Sequence, residues 1–390
     1  MCGYKIFQCY RVAMLCLGIA SLIACGSAGT SNSSASLPSL ATSSAQSSTL
    51  APPYPSSSAL SSSLFSSSLL SSSTTASSLS NTQRVSAATD TAQNNSICIA
   101  VKPFYWEVGD KLSALGSGTT GDNTYTADSI VPIASASKWI FGAYLAQLRD
   151  GHLTSDDIAS LTMRAGYTNF SDASCIRLLS SMKETETVNE CFQAANSNGG
   201  NNSDFNPNAV GHFFYGGGHF QKSAVDLGLG LLNNASLQAE VQRLLGTDFN
   251  FIYTTPQVAG GVATSAASYA IFLRKILNNQ LAIYGLLGSN KVCTNIYSTT
   301  DSTTCINTPI YTPAPASEHF VYSLGHWLED DPVVGDGAFS SAGTFGFYPW
   351  IDASKTFYGI VARKDDIGSG FESVYCGRLI RKAWITGIEQ

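Results

Sequence analysis

The sequence carries little charge. Asp, Glu, Lys and Arg make up 12% of its 390 residues, about half of the usual fraction in globular proteins. The net charge of −6 excludes nucleic-acid binding through a basic patch. Between Gly26 and Gln83 there is no charged side chain and no histidine, whereas nearly all charges follow Ser96. The roughly 295 residues after that point are enough for one large domain or two small ones.

Several chemical signatures are missing as well. The chain has no Cys-x-x-Cys and no His-Glu-x-x-His pattern, which are spacings typical of zinc sites. It has no Gly-x-Ser-x-Gly nucleophile elbow, which disfavours an α/β-hydrolase, and no phosphate-binding glycine loop. We therefore expect no metal, no cofactor and no nucleic-acid partner.

An export signal is predicted at residues 1–24. Lys5 and Arg11 precede an apolar run at 12–24, which is too short to span a bilayer and has the length of a signal-peptide core. The small residues before Cys25 resemble a bacterial lipobox, which implies cleavage before Cys25 and lipidation of its sulfur. The protein is then expected in the cell envelope, held on a membrane by lipid. The alternative is an ordinary signal peptide in which Cys25 is incidental.

Residues 25–93 are predicted to be a serine-rich tether. Residues 56–70 repeat three serines and two apolar residues in every five. Five residues advance a helix by about 500°, so successive apolar pairs drift around its surface, and in a strand they change faces at each repeat. Neither element can collect them on one side, so no core forms here. We expect a flexible spacer between the membrane and a domain at 94–390.

Six cysteines remain in that domain, and an even number in an exported protein predicts disulfides. Six cysteines allow fifteen pairings. Local spacing favours two short-range bonds and leaves one long-range bond, which would join the first strand of the domain to its last helix. The predicted pairs are Cys175 with Cys191, Cys293 with Cys305, and Cys98 with Cys376.

Helices in the middle of the domain and strands at both ends predict one mixed α/β (α+β) domain. Residues 138–148 are apolar almost all round, which indicates a buried helix. An amphipathic helix begins near Ser265, because apolar residues follow it at i, i+3, i+4, i+7 and i+8. The remaining predicted elements are strands at 97–108, 320–328, 344–351 and 356–363, the last two joined by a turn at 352–355, and a helix at 379–385.

The predicted chemistry begins at the start of the buried helix. Ser135 and Lys138 are three residues apart, so their side chains would lie on one helical face. A desolvated lysine can lose its proton near neutral pH and act as the base for a serine nucleophile. The helix N-terminus adds N–H donors suited to an oxyanion. Residues 180–183 also match Ser-x-x-Lys, but a polar segment follows them and we discard that match.

Four sequence blocks together resemble the serine β-lactamase and penicillin-binding-protein superfamily, in particular class C β-lactamases and related esterases. Their order and spacing are more specific than any one block. The blocks are residues 132–138 with Ser135 and Lys138, residues 214–221 around Tyr215, residues 259–265 with two glycines, and Ser341-Ala342-Gly343 before Thr344. The resemblance implies an antiparallel sheet flanked by helices, with an all-helical subdomain.

The resemblance also implies roles for individual residues. Ser135 would be the nucleophile, with Lys138 and Tyr215 sharing the proton transfers. The N–H groups of Ser135 and Thr344 would form the oxyanion hole, with Ser341 and Gly343 beside them in the substrate site. His219 could assist the base, although a structural histidine is the simpler interpretation.

Two departures bear on the substrate. The asparagine of the Tyr-x-Asn block is Gly217 here, and the lysine of the Lys-Thr-Gly block is Ser341. Losing a charge-assisted contact costs about 1.5–3 kcal/mol, which weakens recognition of an anionic amide. Arg363 or Lys364 could replace the missing cation from a neighbouring strand.

These residues predict a serine hydrolase that forms an acyl-enzyme with a small ester or amide, or with a peptidoglycan-like substrate. Efficient β-lactamase activity is expected less. Two alternatives stay open: a D,D-peptidase or penicillin-binding protein, and a surface protein that keeps the fold but only binds a ligand.

Overall fold

The computed structural model describes residues 79–175, 186–295, 305 and 307–390. The predicted signal peptide, Cys25, the tether up to residue 78 and the second Ser-x-x-Lys match lie outside these residues. None of the helices within the described ranges is both long enough and apolar enough to cross a membrane.

An antiparallel eight-stranded sheet forms one part of the domain. Its strand order is β2-β1-β11-β10-β9-β8-β7-β6. The strands are β1 Phe104–Asp110, β2 Ala114–Thr120, β6 Val292–Cys293, β7 Val321–Tyr322, β8 Trp327–Glu329, β9 Ala338–Ser340, β10 Tyr348–Ile351 and β11 Phe357–Ala362. A second sheet pairs β3 (Val131–Pro132) and β4 (Ile252–Tyr253) with β5 (Val262–Thr264).

Helices cover both faces of the large sheet. The ring of Phe357 contacts Trp384 of α9 (Phe371–Thr386), whereas the next residue, Tyr358, accepts a hydrogen bond from Arg274 of α8 (Ala266–Leu277). Because successive strand residues point to opposite faces, α8 and α9 lie on opposite sides of the sheet. Strand β11 is therefore buried at nearly every position and shows no polar alternation.

The remaining helices are short and lie mainly between β3 and β4. They are α1 Asn81–Asn94, α2 Ser96–Ile99, α3 Ser137–Leu148, α4 Ser155–Leu161, α5 Val188–Gln193, α6 Gly218–Asp226 and α7 Asn234–Leu245. Helix α3 is the predicted central helix, and every residue from 137 to 146 is buried. A Cβ at Gly142 would lie 2.6 Å from the carbonyl oxygen of Leu324, so glycine allows α3 to approach the turn between β7 and β8.

Several predictions are confirmed. All three predicted disulfides are present. The amphipathic helix is α8, and its cap is Ser265, which accepts a hydrogen bond from the Ser268 N–H. The turn at 352–355 joins β10 to β11. It is stabilised by the Asp352 carboxylate, which accepts hydrogen bonds from the N–H groups of Ser354 and Thr356.

The predicted tether extends too far, since α1 belongs to the domain. Ser80 and Gln83 form a capping box at its start. Ala87, Ala88 and Ala92 are buried, and α1 packs against α9, where Arg84 donates to the Trp384 carbonyl at 2.7 Å. Small apolar residues in a polar stretch carry too weak a pattern to distinguish this helix from the serine-rich sequence before it.

Four element boundaries also differ from the predictions. The 97–108 segment begins with α2, and its strand starts at Phe104. The 320–328 segment is the β7–β8 hairpin, with Gly325 at φ +83° in its turn. Residues 344–347 are a turn, so the strand starts at Tyr348. The last helix starts at 371 instead of 379. Arg378, which is partly buried and paired with Glu329, interrupts the apolar pattern just before the predicted start.

Candidate active site

Ser135 lies in a tight turn between β3 and α3. Residues 134–136 form one turn of 3₁₀ helix, and α3 follows directly. The preceding residue, Ala134, has φ +44°, a left-handed conformation that costs a non-glycine residue about 1–2 kcal/mol. Ser135 is partly exposed. The turn thus presents its hydroxyl to solvent at the N-terminus of a buried helix.

Lys138 is held against Ser135 in a dry environment. Its side chain is 5% exposed, and Nζ donates to Ser135 Oγ at 2.9 Å and to the carbonyl oxygen of Ala259 at 2.9 Å. Burial lowers the pKa of Lys138 to about 8, and the negative charge of Asp172 opposes this shift. A substantial fraction of the amine is therefore neutral near physiological pH and able to accept a proton.

Tyr215 completes the cluster. Lys138 Nζ lies 5.0 Å from the centre of its ring, and Tyr215 lines the same cleft as Ser135. Trp327 stacks on the ring at a centroid distance of 5.3 Å. Burial raises the pKa of Tyr215 well above its ordinary value, although the nearby Ser135 hydroxyl opposes the shift. The phenol therefore stays protonated, which favours Lys138 as the base and Tyr215 as a proton donor.

The Ser341-Ala342-Gly343 block follows strand β9 and lies against the Ser135 turn. Ser341 Oγ donates to the carbonyl oxygen of Ser135 at 3.2 Å. A Cβ at Gly343 would collide with the carbonyl oxygen of Ile133, so only glycine fits there. Thr344 lines the same cleft as Ser135, and within the described ranges its N–H has no protein acceptor. The N–H groups of Ser135 and Thr344 are thus available at one cleft.

The cleft has a volume of about 370 Å³. Six aromatic side chains contribute to its wall: Phe170, Tyr215, Tyr311, Trp327, Phe345 and Phe371. Its charged lining residues are Lys138 and Asp172. Nowhere in the described ranges do three His, Cys, Asp or Glu side chains gather as metal ligands would.

Solved structures share this architecture. A D-stereospecific amidohydrolase from Streptomyces sp. matches with a TM-score of 0.50 and 12% identity, over 79% of this chain and 99% of that chain. The chain has the serine β-lactamase and penicillin-binding-protein fold. This confirms the fold that the four blocks predicted. No protein-family model matches the sequence, and no curated protein matches it.

Two other solved structures of this fold show the same low identity. A protein described as a β-lactamase from Bacteroides dorei DSM 17855 has a TM-score of 0.47 and 19% identity, over 72% of this chain and 93% of that chain. Simvastatin synthase from Aspergillus terreus has a TM-score of 0.46 and 14% identity, over 77% and 98%.

The two candidate replacements for the missing lysine lie elsewhere in this β-lactamase-like fold. Arg363 is 8% exposed and pairs with Asp365 at 2.5 Å. Lys364 pairs with Asp366 at 2.6 Å. Neither side chain lines the cleft. Among the lining residues within the described ranges, Lys138 is therefore the single cation.

The contacts of His219 fit the structural role that the simpler interpretation gave it. It is fully buried in α6. Its Nδ1 accepts from the Ala165 N–H at 3.1 Å, and its Nε2 lies 3.1 Å from the Phe214 carbonyl oxygen. Burial lowers its pKa to about 4. A neutral imidazole that donates to Phe214 and accepts from Ala165 satisfies both contacts and holds the loop that carries Tyr215.

Several cleft residues were not predicted from the sequence, among them Asp172, Gln257 and Trp327. Gln257 Nε2 donates to Asp172 Oδ1 at 2.5 Å. Trp327 lies far along the chain, on β8, and reaches the site only because β8 is paired next to β9. Gln257 lies two residues before the double-glycine block, and this closeness in sequence is the feature that could have identified it as a cleft residue.

Proposed function

We propose that this protein is a serine hydrolase that cleaves esters or amides through an acyl-enzyme on Ser135. The observation that carries the proposal is the cluster of Ser135 Oγ, Lys138 Nζ and the Tyr215 hydroxyl. A buried lysine with a lowered pKa, in hydrogen-bond contact with a hydroxyl at a helix N-terminus, is an activated nucleophile.

In the acylation step, neutral Lys138 accepts the Ser135 proton as Oγ attacks the substrate carbonyl carbon. The carbonyl oxygen gains negative charge and is stabilised by the N–H groups of Ser135 and Thr344. The intermediate then expels the alcohol or amine, which takes a proton from Tyr215, and Tyr215 is reprotonated from Lys138. Water attacks the acyl-enzyme in the same way, which releases the acid and restores Ser135.

An ester or amide with an apolar, uncharged acyl chain fits the cleft better than an amide that carries a negative charge. Ser341 stands where the resemblance places a lysine, and among the described residues Lys138 is the only cation that lines the cleft. The geometry therefore favours an esterase or amidase over a β-lactamase or a D,D-peptidase. We also propose, from the N-terminal sequence, that the protein is exported and anchored by lipid on Cys25.

A fluorophosphonate probe tests the proposed function directly. The full-length protein is expected to be labelled, with the adduct located by mass spectrometry on Ser135, and Ser135→Ala is expected to remain unlabelled. Labelling of both proteins to the same extent, or of neither, would overturn the proposal. A penicillin adduct on Ser135 would favour the D,D-peptidase alternative.

The activity is expected to depend on pH through Lys138. Because its pKa is about 8, kcat/KM for an ester should rise about tenfold per pH unit below that value and level off above it. The sign follows from the role, since only the neutral amine can accept the Ser135 proton. Initial rates of a non-ionising ester between about pH 6 and pH 9.5 measure the profile. A flat profile would show that Lys138 is not the base.

A further inference from the structure

The carboxylate of Asp172 stands at the edge of the cleft, near the cluster that carries Lys138 and Tyr215. It is an exposed residue, and its charge acts on both Lys138 and Tyr215. Its single hydrogen-bond partner within the described ranges is Gln257, which donates to Oδ1. No lysine or arginine of those ranges pairs with it. The carboxylate thus has no ion-pair partner within those ranges, and Lys138 is the cation that shares the cleft with it.

Asp172 is rigidly placed by a buried network. The preceding residue, Ser171, is held through both its N–H and its carbonyl oxygen by Asn202, which is fully buried. Three residues after Asp172, the disulfide between Cys175 and Cys191 ties the segment to α5. On its other side Gln257, which is 4% exposed, fixes Oδ1. Such support fixes the position of the carboxylate, as a preorganised contact requires, although the residue itself is exposed.

The carboxylate also occupies the place of a family contact. A Cβ at Gly217 would lie 3.0 Å from the Phe170 ring and 3.4 Å from Asp172 Oδ1. The space into which an asparagine at 217 would reach is therefore filled by an aromatic ring and a carboxylate. Together with Ser341 in place of lysine, this leaves Asp172 and Lys138 as the charged side chains that line the cleft.

We propose that the cleft selects esters or amides that carry a positively charged amine close to the scissile carbonyl, with Asp172 as the residue that recognises the amine. The proposal rests on the proposed function and names its substrate class. The aromatic wall supports it, because aromatic faces attract ammonium groups and also bind the apolar part of such a substrate. Oδ2 of Asp172 is the acceptor left for the amine.

Two pairs of substrates test the proposal with the full-length protein. The first pair is benzoylcholine and 3,3-dimethylbutyl benzoate, which differ by a charged nitrogen in place of a carbon in the alcohol. The second pair is phenylalanine p-nitroanilide and 3-phenylpropionyl p-nitroanilide, which differ by an amine in the acyl part. We expect kcat/KM for the charged member of at least one pair to exceed that for the neutral member by about tenfold or more.

Asp172→Asn keeps an oxygen that can accept from Gln257 but removes the charge. The ratio of charged to neutral kcat/KM should fall to near one in this variant, and the pH profile should move to lower pH because the negative charge no longer favours protonated Lys138. Asp226→Asn, which removes an exposed carboxylate paired with Lys222 on α6, should keep the wild-type ratio. Raising the salt concentration should lower the ratio in the wild type.

Each outcome decides a different claim. Ratios near one for both pairs in the wild type, or a ratio that Asp172→Asn leaves unchanged, would overturn the amine proposal. If the neutral esters were still hydrolysed in a Ser135-dependent way, the proposed function would remain intact. No hydrolysis of any substrate together with no fluorophosphonate labelling would overturn both.

Discussion

Replacing Lys138 with methionine is expected to lower kcat/KM for ester hydrolysis by about a thousandfold or more, since a positioned general base contributes roughly 10²–10⁴-fold. Methionine has a similar length and suits a site that is 5% exposed, so the protein should remain folded. Methionine cannot accept the Ser135 proton. The rise of activity with pH toward the Lys138 pKa of about 8 should therefore be absent from the variant, which a pH series of initial rates would show.

A matched control is available on the surface. Lys291 is 42% exposed in its side chain and pairs with Asp330 at 3.6 Å, so Lys291→Met makes the same chemical change outside the cleft. Its activity should remain close to that of the wild type. If Lys138→Met retained more than about a tenth of the activity with the pH profile unchanged, the general-base role would belong to another group.

Removing the disulfide between Cys98 and Cys376 is expected to lower the free energy of unfolding by about 5.6 kcal/mol in the chain-entropy model. This bond joins residues separated by 278 positions, so its loss gives the unfolded chain far more freedom than the loss of a short closure does. Both cysteines are fully buried. They connect α2 to α9, which lies against the large sheet.

The shorter Cys293–Cys305 bond provides the comparison. It closes a separation of 12 residues, for which the same model predicts about 3 kcal/mol. In chemical denaturation, the variant with both Cys98 and Cys376 replaced by alanine should therefore lose more free energy of unfolding than the variant with both Cys293 and Cys305 replaced. Equal losses, or a smaller loss for Cys98→Ala with Cys376→Ala, would contradict a stabilisation that arises from restriction of the unfolded chain.

Gly217 and Ser341, the two departures from the family pattern that bear on the substrate, are best interpreted together. Taken singly, each removes a contact that the resemblance leads one to expect. The structure adds that Asp172 fills the space beside Gly217 and that Arg363 is paired away from the cleft. Compared with the pattern that the resemblance implies, the cleft lacks one positive charge and contains the carboxylate of Asp172, which is the basis of the proposed preference for a positively charged substrate.

Local patterns predicted the elements whose physical cause is local. Helix α3 is apolar all round because it is buried on every side, and α8 has one apolar stripe because it packs on one side of a sheet. The disulfides followed from cysteine number and spacing. Helix α1 was missed, because its burial depends on α9, almost 300 residues further along the chain, as the Arg84–Trp384 hydrogen bond shows.

The sequence by itself determined the chemistry that lies within one turn of chain. Ser135 and Lys138 are neighbours on a helix start whatever the rest of the fold does. It also determined the sparse charge of the chain. Only the tertiary structure decided which charges share the cleft, because Asp172, Tyr215, Gln257 and Trp327 come from separate segments. Their meeting depends on sheet order and helix packing, which no spacing along the chain encodes. The charges and shape of the cleft are thus set by the tertiary structure, whereas the Ser135 and Lys138 pair is set by the local sequence.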